Sequence, residues 1–156
     1  MPHRSINQFR DDRAVGQARV LETEHLGIKR FFRLDSAAYE DGPLPGRTKE
    51  LLGLVASAVL RCNDCIDYHL EQCVKQGYSR AEIEDALNVA LIVGGSIFIP
   101  HLRHAALSLD ELIAERDADG PQTQPAQPAQ PAHPAQPVPD APPASPAPRA
   151  PDDRPR

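Results

Sequence analysis

Residues 47–93, RTKELLGLVASAVLRCNDCIDYHLEQCVKQGYSRAEIEDALNVALIV, carry the reading that decides the fold. Apolar residues recur in them at spacings of three and four without strict alternation, the period of helices and not of strands. A helix starting near Arg47 places Leu51, Leu54, Val55, Ala58 and Val59 on one face. Asn63 stands where a side-chain oxygen caps a second helix, which runs to about Gln76 and ends at Gly77, a residue suited to the left-handed closing turn. Ser79, Arg80, Ala81 and Glu82 spell a capping box, in which serine and glutamate each satisfy an unpaired backbone N–H. The helix it opens runs through Val93 and stops at Gly94 and Gly95.

Toward the N-terminus, the turn formers Asp41-Gly42-Pro43-Leu44-Pro45-Gly46 separate off a helical region of roughly residues 13–39. Within it His25 to Phe32 is amphipathic, and its paired phenylalanines suit a core or a subunit interface. Toward the C-terminus, Ser96 to Ile99 is too short to carry a sheet, and Pro100 fits the first turn of a last helix over about 100–115. Five or six helices without a strand predict an all-α bundle, residues 1–116. Beyond it the composition changes, because 13 of the 17 prolines lie between Pro121 and Arg156. Prolines at 125, 128, 131, 134 and 137 repeat every three residues, the turn of polyproline II, which has no core to join. Residues 117–156 are therefore expected to be a disordered Pro/Ala/Gln-rich tail, either an inert linker or a tether presenting its end to a protein partner.

Through residue 116 the chain holds 14 Lys+Arg against 17 Asp+Glu and beyond it 3 against 5, so the net charge of -5 divides into -3 and -2. Neither piece has the basic surface of a nucleic-acid binder. The most apolar segment, Ala86 to Pro100, is broken by Asn88, Gly94, Gly95 and Ser96 and is shorter than the roughly 20 residues of a membrane span. With no secretory leader in the first residues, a cytoplasmic protein with three reduced thiols is expected. A body of this size buries only about two thirds of its unfolded surface as a monomer, which favours self-association.

The chemistry-bearing stretch is Cys62-Asn63-Asp64-Cys65-Ile66-Asp67-Tyr68-His69. With Asn63 as cap, Cys65 lies in the first helical turn, where free N–H groups and the helix dipole stabilise a thiolate. His69 follows one turn later on the same face, close enough to exchange a proton with it. Cys62 is placed to attack an oxidised Cys65, the logic of a dithiol redox centre. Zinc is the competing reading. Cys65, His69 and Cys73 form an i, i+4, i+8 stripe, but its ends lie ~12 Å apart along the axis, beyond the reach of metal–sulfur bonds of about 2.3 Å to one ion. A site of Cys62, Cys65 and His69 with His101 or His104 stays open. Read alone, Cys73 is a packed apolar residue and Glu50 a solvated acid near a helix start. His101 and His104 read as surface or interface residues, Tyr68 as packing, and Gly94-Gly95 as a close helix approach.

Taken together, Arg47-Thr48-Lys49-Glu50-Leu51-Leu52, the stretch Leu60 to His69, Gly77, Glu82 to Ala86 and Val93-Gly94-Gly95 resemble the carboxymuconolactone decarboxylase superfamily. Within it the likeness is to the alkyl hydroperoxidase AhpD-like branch, over about residues 24–113. The most specific element is a Glu twelve positions before C-x-x-C-x-x-x-H. The resemblance implies an all-helical homo-oligomer, commonly a trimer or hexamer; no metal or cofactor is expected. It makes Cys65 the peroxide-attacking thiol, Cys62 the resolving thiol, and His69 and Glu50 a proton relay. It implies a peroxide or disulfide substrate and a dihydrolipoamide-type or thioredoxin-like thiol reductant. One position departs: the namesake has a second His beside its second cysteine, and here it is Asp64, whose carboxylate disfavours the neighbouring thiolate. The decarboxylase branch lacks C-x-x-C. The rival to an antioxidant enzyme is a non-enzymatic helical oligomer docked through its tail to a shell, scaffold or enzyme.

Overall fold

The computed structural model describes residues 3–120, in which the chain forms α1 (Ile6–Leu21), α2 (Leu26–Ala38), α3 (Gly46–Val59), α4 (Asn63–Lys75), α5 (Arg80–Gly94) and α6 (Ile99–Ala118). Ser96–Phe98 is a single 3-10 turn, and the described residues contain no strand. This is the expected all-α bundle. No helix among the described residues is long and apolar enough to cross a membrane. The last helix extends past the expected residue 115 to Ala118, and from Pro121 the proline-rich segment lies outside the described residues.

Two helix boundaries differ from expectation for identifiable reasons. The N-terminal helical region, expected from about residue 13, begins at Ile6 and consists of two helices, because Ser5 and Gln8 form a second capping box that starts α1 there. The Ser5 hydroxyl accepts from Gln8 N at 3.2 Å and Gln8 Oε1 accepts from Ser5 N at 3.1 Å. The cap is easily passed over because the helix it opens lacks an apolar stripe, burying only Ile6 and Phe9. At the α3–α4 corner Cys62, not Asn63, is the N-cap, its sulfur accepting from Cys65 N at 3.4 Å.

That corner is tight because Arg61 takes a left-handed conformation, φ 60°, usually left to glycine. Arg61 N donates to Ala58 O at 3.0 Å and Cys62 N to Ser57 O at 3.1 Å, the paired bonds that close a Schellman turn. Cys62 thus ends one helix and caps the next with no residue between. Gly77 ends α4 the same way with φ 79°, Gly77 N donating to Val74 O and Tyr78 N to Cys73 O, both at 3.1 Å.

Four helices enclose the core: α3 packs against α4 and α5, α6 lies along α4, and α5 touches α6 at the remaining side. Leu54, Ile66, Leu70, Ile83, Leu87 and Leu109 fill the space between them, each contributing roughly 1.5–3 kcal/mol by leaving water. α1 adds Ile6 to this core and rests on α4 and α6. None of the residues of α2 is buried, and Phe31 is 65 % exposed, so it is not a core residue of the single chain.

Candidate active site

Glu50, one turn into α3, points into the α3–α4 interface and is only 7 % exposed. Read alone it was expected to be a solvated acid; burial overturns that. A carboxylate so enclosed needs a partner, and it has one in His69, also 7 % exposed, whose Nδ1 lies 2.8 Å from Oε2. With Nδ1–H donating to Glu50, Nε2 is left as the acceptor that faces outward. The Tyr39 hydroxyl lies 3.4 Å from that Nε2.

Two phenols enclose the imidazole. The Tyr39 ring is tilted against it with centroids 5.3 Å apart, and Tyr68 meets it edge-on at 5.1 Å. Burial first, and then the charge of Glu50, push both phenols above the ordinary tyrosine range, so each keeps its proton as an O–H donor at neutral pH. Tyr68 also carries the guanidinium of Arg13 over its face at 4.4 Å.

Cys62 and Cys65 are joined as a disulfide with Cα atoms 5.3 Å apart. Cys65 and His69 share the wall of an open cavity of about 420 Å³ with Phe9, Arg13, Tyr39 and Tyr68. Cys65, Cys62, His69 and Glu50 are thus brought to one place: thiol and imidazole at the cavity wall, Cys62 at the helix cap, Glu50 behind His69. Cys73 does not line that cavity and is buried, and burial pushes its thiol up to about 12.

The two histidines of α6 are not simple surface residues. His101 Nδ1 pairs with Asn63 Oδ1 at 2.8 Å, and His104 Nε2 with Asp67 Oδ1, also at 2.8 Å. Both are thereby committed to α4 side chains rather than turned toward the cysteine sulfurs. Among the described residues no group of three or more His, Cys, Asp or Glu is arranged to hold a metal ion.

Residues 28–110 match the sequence profile of the Carboxymuconolactone decarboxylase family, more than half of the chain. The chain belongs to that family. A carboxymuconolactone decarboxylase family protein of Thermotoga maritima, for which a part in an antioxidative response has been suggested, has a similar structure. It is 52 % identical, with a TM-score of 0.67, and the likeness covers 72 % of this chain and 95 % of that one. A family protein of Legionella pneumophila is 28 % identical with a TM-score of 0.60, over 70 % of this chain and 95 % of that one. An uncharacterized protein of the cox locus of Paracoccus denitrificans is 29 % identical over 82 residues, 53 % of this chain and 74 % of its own length.

In this carboxymuconolactone decarboxylase family chain, two residues at the histidine went unnoticed in the sequence. Tyr39 sits just past the end of α2, where nothing local marks its approach to His69. Gly53 lies inside α3, and a Cβ there would stand 2.5 Å from Cε1 of His69 and 2.8 Å from the Tyr39 hydroxyl. A glycine within a helix costs about 1 kcal/mol relative to alanine, the one sequence signal that could have found it.

Proposed function

We propose that this chain is a thiol peroxidase and disulfide oxidoreductase of the AhpD-like branch, with Cys65, Cys62, His69 and Glu50 as its working set. What carries the reading is the buried Glu50–His69 pair opening onto the cavity that also exposes Cys65. Nε2 of His69 takes the proton of Cys65, and the imidazolium so formed is stabilised by the carboxylate of Glu50. The Cys65 thiolate then attacks the terminal oxygen of a hydroperoxide. The O–O bond breaks, sulfur gains the oxygen as sulfenic acid, and the leaving alkoxide takes a proton, returned by His69 or donated through the Tyr39 hydroxyl. Cys62 condenses with the sulfenic acid, forming the 62–65 disulfide and releasing water. A dithiol reductant, of dihydrolipoamide or thioredoxin type, restores both thiols with two electrons and two protons. Self-association of the chain into a trimer or hexamer is part of the same reading.

The test is oxidation of the reduced chain by stoichiometric hydrogen peroxide and by an organic hydroperoxide, read by intact mass. The disulfide registers as a loss of about 2 Da. It should form fast in wild type, be absent in Cys65→Ser, and slow by ten- to a hundredfold or about that in His69→Ala and Glu50→Gln. A disulfide that forms equally fast without His69, or not at all, would move the weight to the non-enzymatic oligomer.

A further inference from the structure

Asp64, the carboxylate beside Cys65, is engaged by the segment that precedes α1. Nη2 of Arg4 donates to Asp64 Oδ1 at 2.5 Å and lies 3.5 Å from Asp67 Oδ2, while Nη1 lies 3.7 Å from Asp12 Oδ2. Asp67 is fully buried. Its Oδ1 accepts from His104 and from Ser108 at 2.7 Å, but its Oδ2 has no hydrogen-bond partner, which leaves Arg4 as the cation facing that oxygen.

The segment is held in place from both ends. His3 Nε2 lies 3.1 Å from Glu111 Oε1, and Ile6 N donates to Glu111 Oε2 at 2.8 Å. The Arg4 guanidinium lies over the ring of Phe9, 5.2 Å from its centroid, and Phe9 is buried and lines the Cys65 cavity. Partial burial alone would lower the guanidinium, yet its bonds and charges with Asp64 and Asp67 hold it above the ordinary arginine value.

The charge around Cys65 is otherwise acidic. α4 presents Asp64, Tyr68 and His69, α1 presents Asp12 and Arg13, α2 presents Asp35 with Tyr39 just past its end, and Glu50 of α3 stands behind His69. Arg13 is the one cation on that wall besides what His69 can carry, and it is stacked on Tyr68. A carboxylate next to a thiol favours the protonated sulfur, against the helix N-terminus that favours the thiolate.

We propose that Arg4 is a positioning residue for the dithiol: by pairing with Asp64 and Asp67 it cancels their opposition to the Cys65 thiolate. The proposal rests on reading Cys65 as the attacking thiol. Residue 4 lies outside the family match at 28–110, so the N-terminal arm tunes a centre that the family region contains.

The test uses the full-length reduced chain carrying Cys62→Ser, since serine also caps helices. Cys65 is then the titrating thiol of the pair, because Cys73 is pushed up to about 12. Its midpoint is read by ultraviolet thiolate absorbance and by the pH dependence of iodoacetamide alkylation. Arg4→Gln should raise the midpoint by about half to one pH unit, as expected for one exposed charge removed from nearby. Arg4→Lys should restore it, Asp64→Asn should lower it, and with Asp64→Asn present the effect of Arg4→Gln should shrink by at least half. An unchanged midpoint in Arg4→Gln overturns the proposal. So does a shift of the same size with Asp64→Asn present, which would mean that Arg4 acts on the thiol directly through its own charge and not by way of Asp64. Alkylation requires no peroxide, so a wild-type chain that ignores peroxides while Arg4→Gln still shifts the midpoint would sink the peroxidase reading and leave this one standing.

Discussion

Gly53 presents its bare Cα to the imidazole of His69, so close that a Cβ would lie 2.5 Å from Cε1 and 2.8 Å from Nδ1. The same Nδ1 is the atom that holds Glu50 at 2.8 Å. The missing methyl group is therefore the space that lets α3 and α4 approach closely enough for the pair to form. Gly53→Ala should improve helix propensity by about 1 kcal/mol and still displace the imidazole. The expected result is a folded chain, unchanged by circular dichroism, in which peroxide forms the 62–65 disulfide about tenfold or more slowly. Wild-type kinetics in this variant would mean that the orientation of His69 does not matter.

Cys73 should be chemically silent in the native chain. It is fully buried, and burial together with the charge of Glu50 pushes its thiol up to about 12. At pH 8 it is almost wholly protonated and shielded from reagent. Of the three cysteines in the sequence, two should alkylate in the reduced native chain and the third only after denaturation. Mass spectrometry counts the adducts, and native labelling of Cys73 would place it outside the core.

Glu71 ties the N-terminal helix to α4. Burial raises its carboxyl, but the hydrogen bonds from Lys75 at 3.0 Å and Arg10 at 2.9 Å outweigh this and hold it below its ordinary value of 4.5. The sign follows from linkage: a carboxyl lowered in the folded state adds stability above its unfolded value and loses it as pH falls through the folded one. Wild type should therefore melt a few degrees above Glu71→Gln at neutral pH, with the gap closing on the acid side of about pH 4. A gap that stays constant with pH would show that the pairs contribute packing and not charge.

The sequence made the bundle legible where one local signal and one apolar face agreed, as in α5, where Ser79 and Glu82 open the helix and Ile83 and Leu87 bury. It misled where they parted. Ser5 and Gln8 cap α1, but a helix with only Ile6 and Phe9 buried announces itself poorly. Cys62 replaced Asn63 as cap because Arg61 accepted a left-handed turn, a backbone state that no residue but glycine advertises. The thiols and His69 were visible as spacing on one helix. Glu50 was visible through family likeness, since only its burial against another helix separates it from a surface acid. Tyr39 reaches His69 from beyond the end of α2 and leaves no pattern in the chain, while Gly53 shows only as a glycine inside a helix, which does not say what it faces.

The exposed apolar side chains of α2 and α5 bear on both assembly and catalysis. Leu26, Phe31 and Leu34 on α2 are 61 %, 65 % and 71 % exposed, and Ile92 and Val93 near the end of α5 are comparably bare. Large apolar side chains this bare on α2 and on α5 suit surfaces that further copies of the chain would cover, and in a symmetric assembly the same residues would serve every copy. The mass in solution should accordingly be a multiple of 17.1 kDa, with three or six copies expected, by light scattering on a sizing column. Phe31→Asp and Ile92→Asp should each lower it. Because α2 leads into Tyr39 and contributes Asp35 to the Cys65 cavity, freeing α2 should loosen the wall of the site. Phe31→Asp is therefore expected to slow disulfide formation in step with the loss of mass, whereas Ile92→Asp, on a helix that does not line that cavity, should do so only by way of the assembly. A chain that runs as a monomer at micromolar concentration with full reactivity would refute the link between assembly and the site.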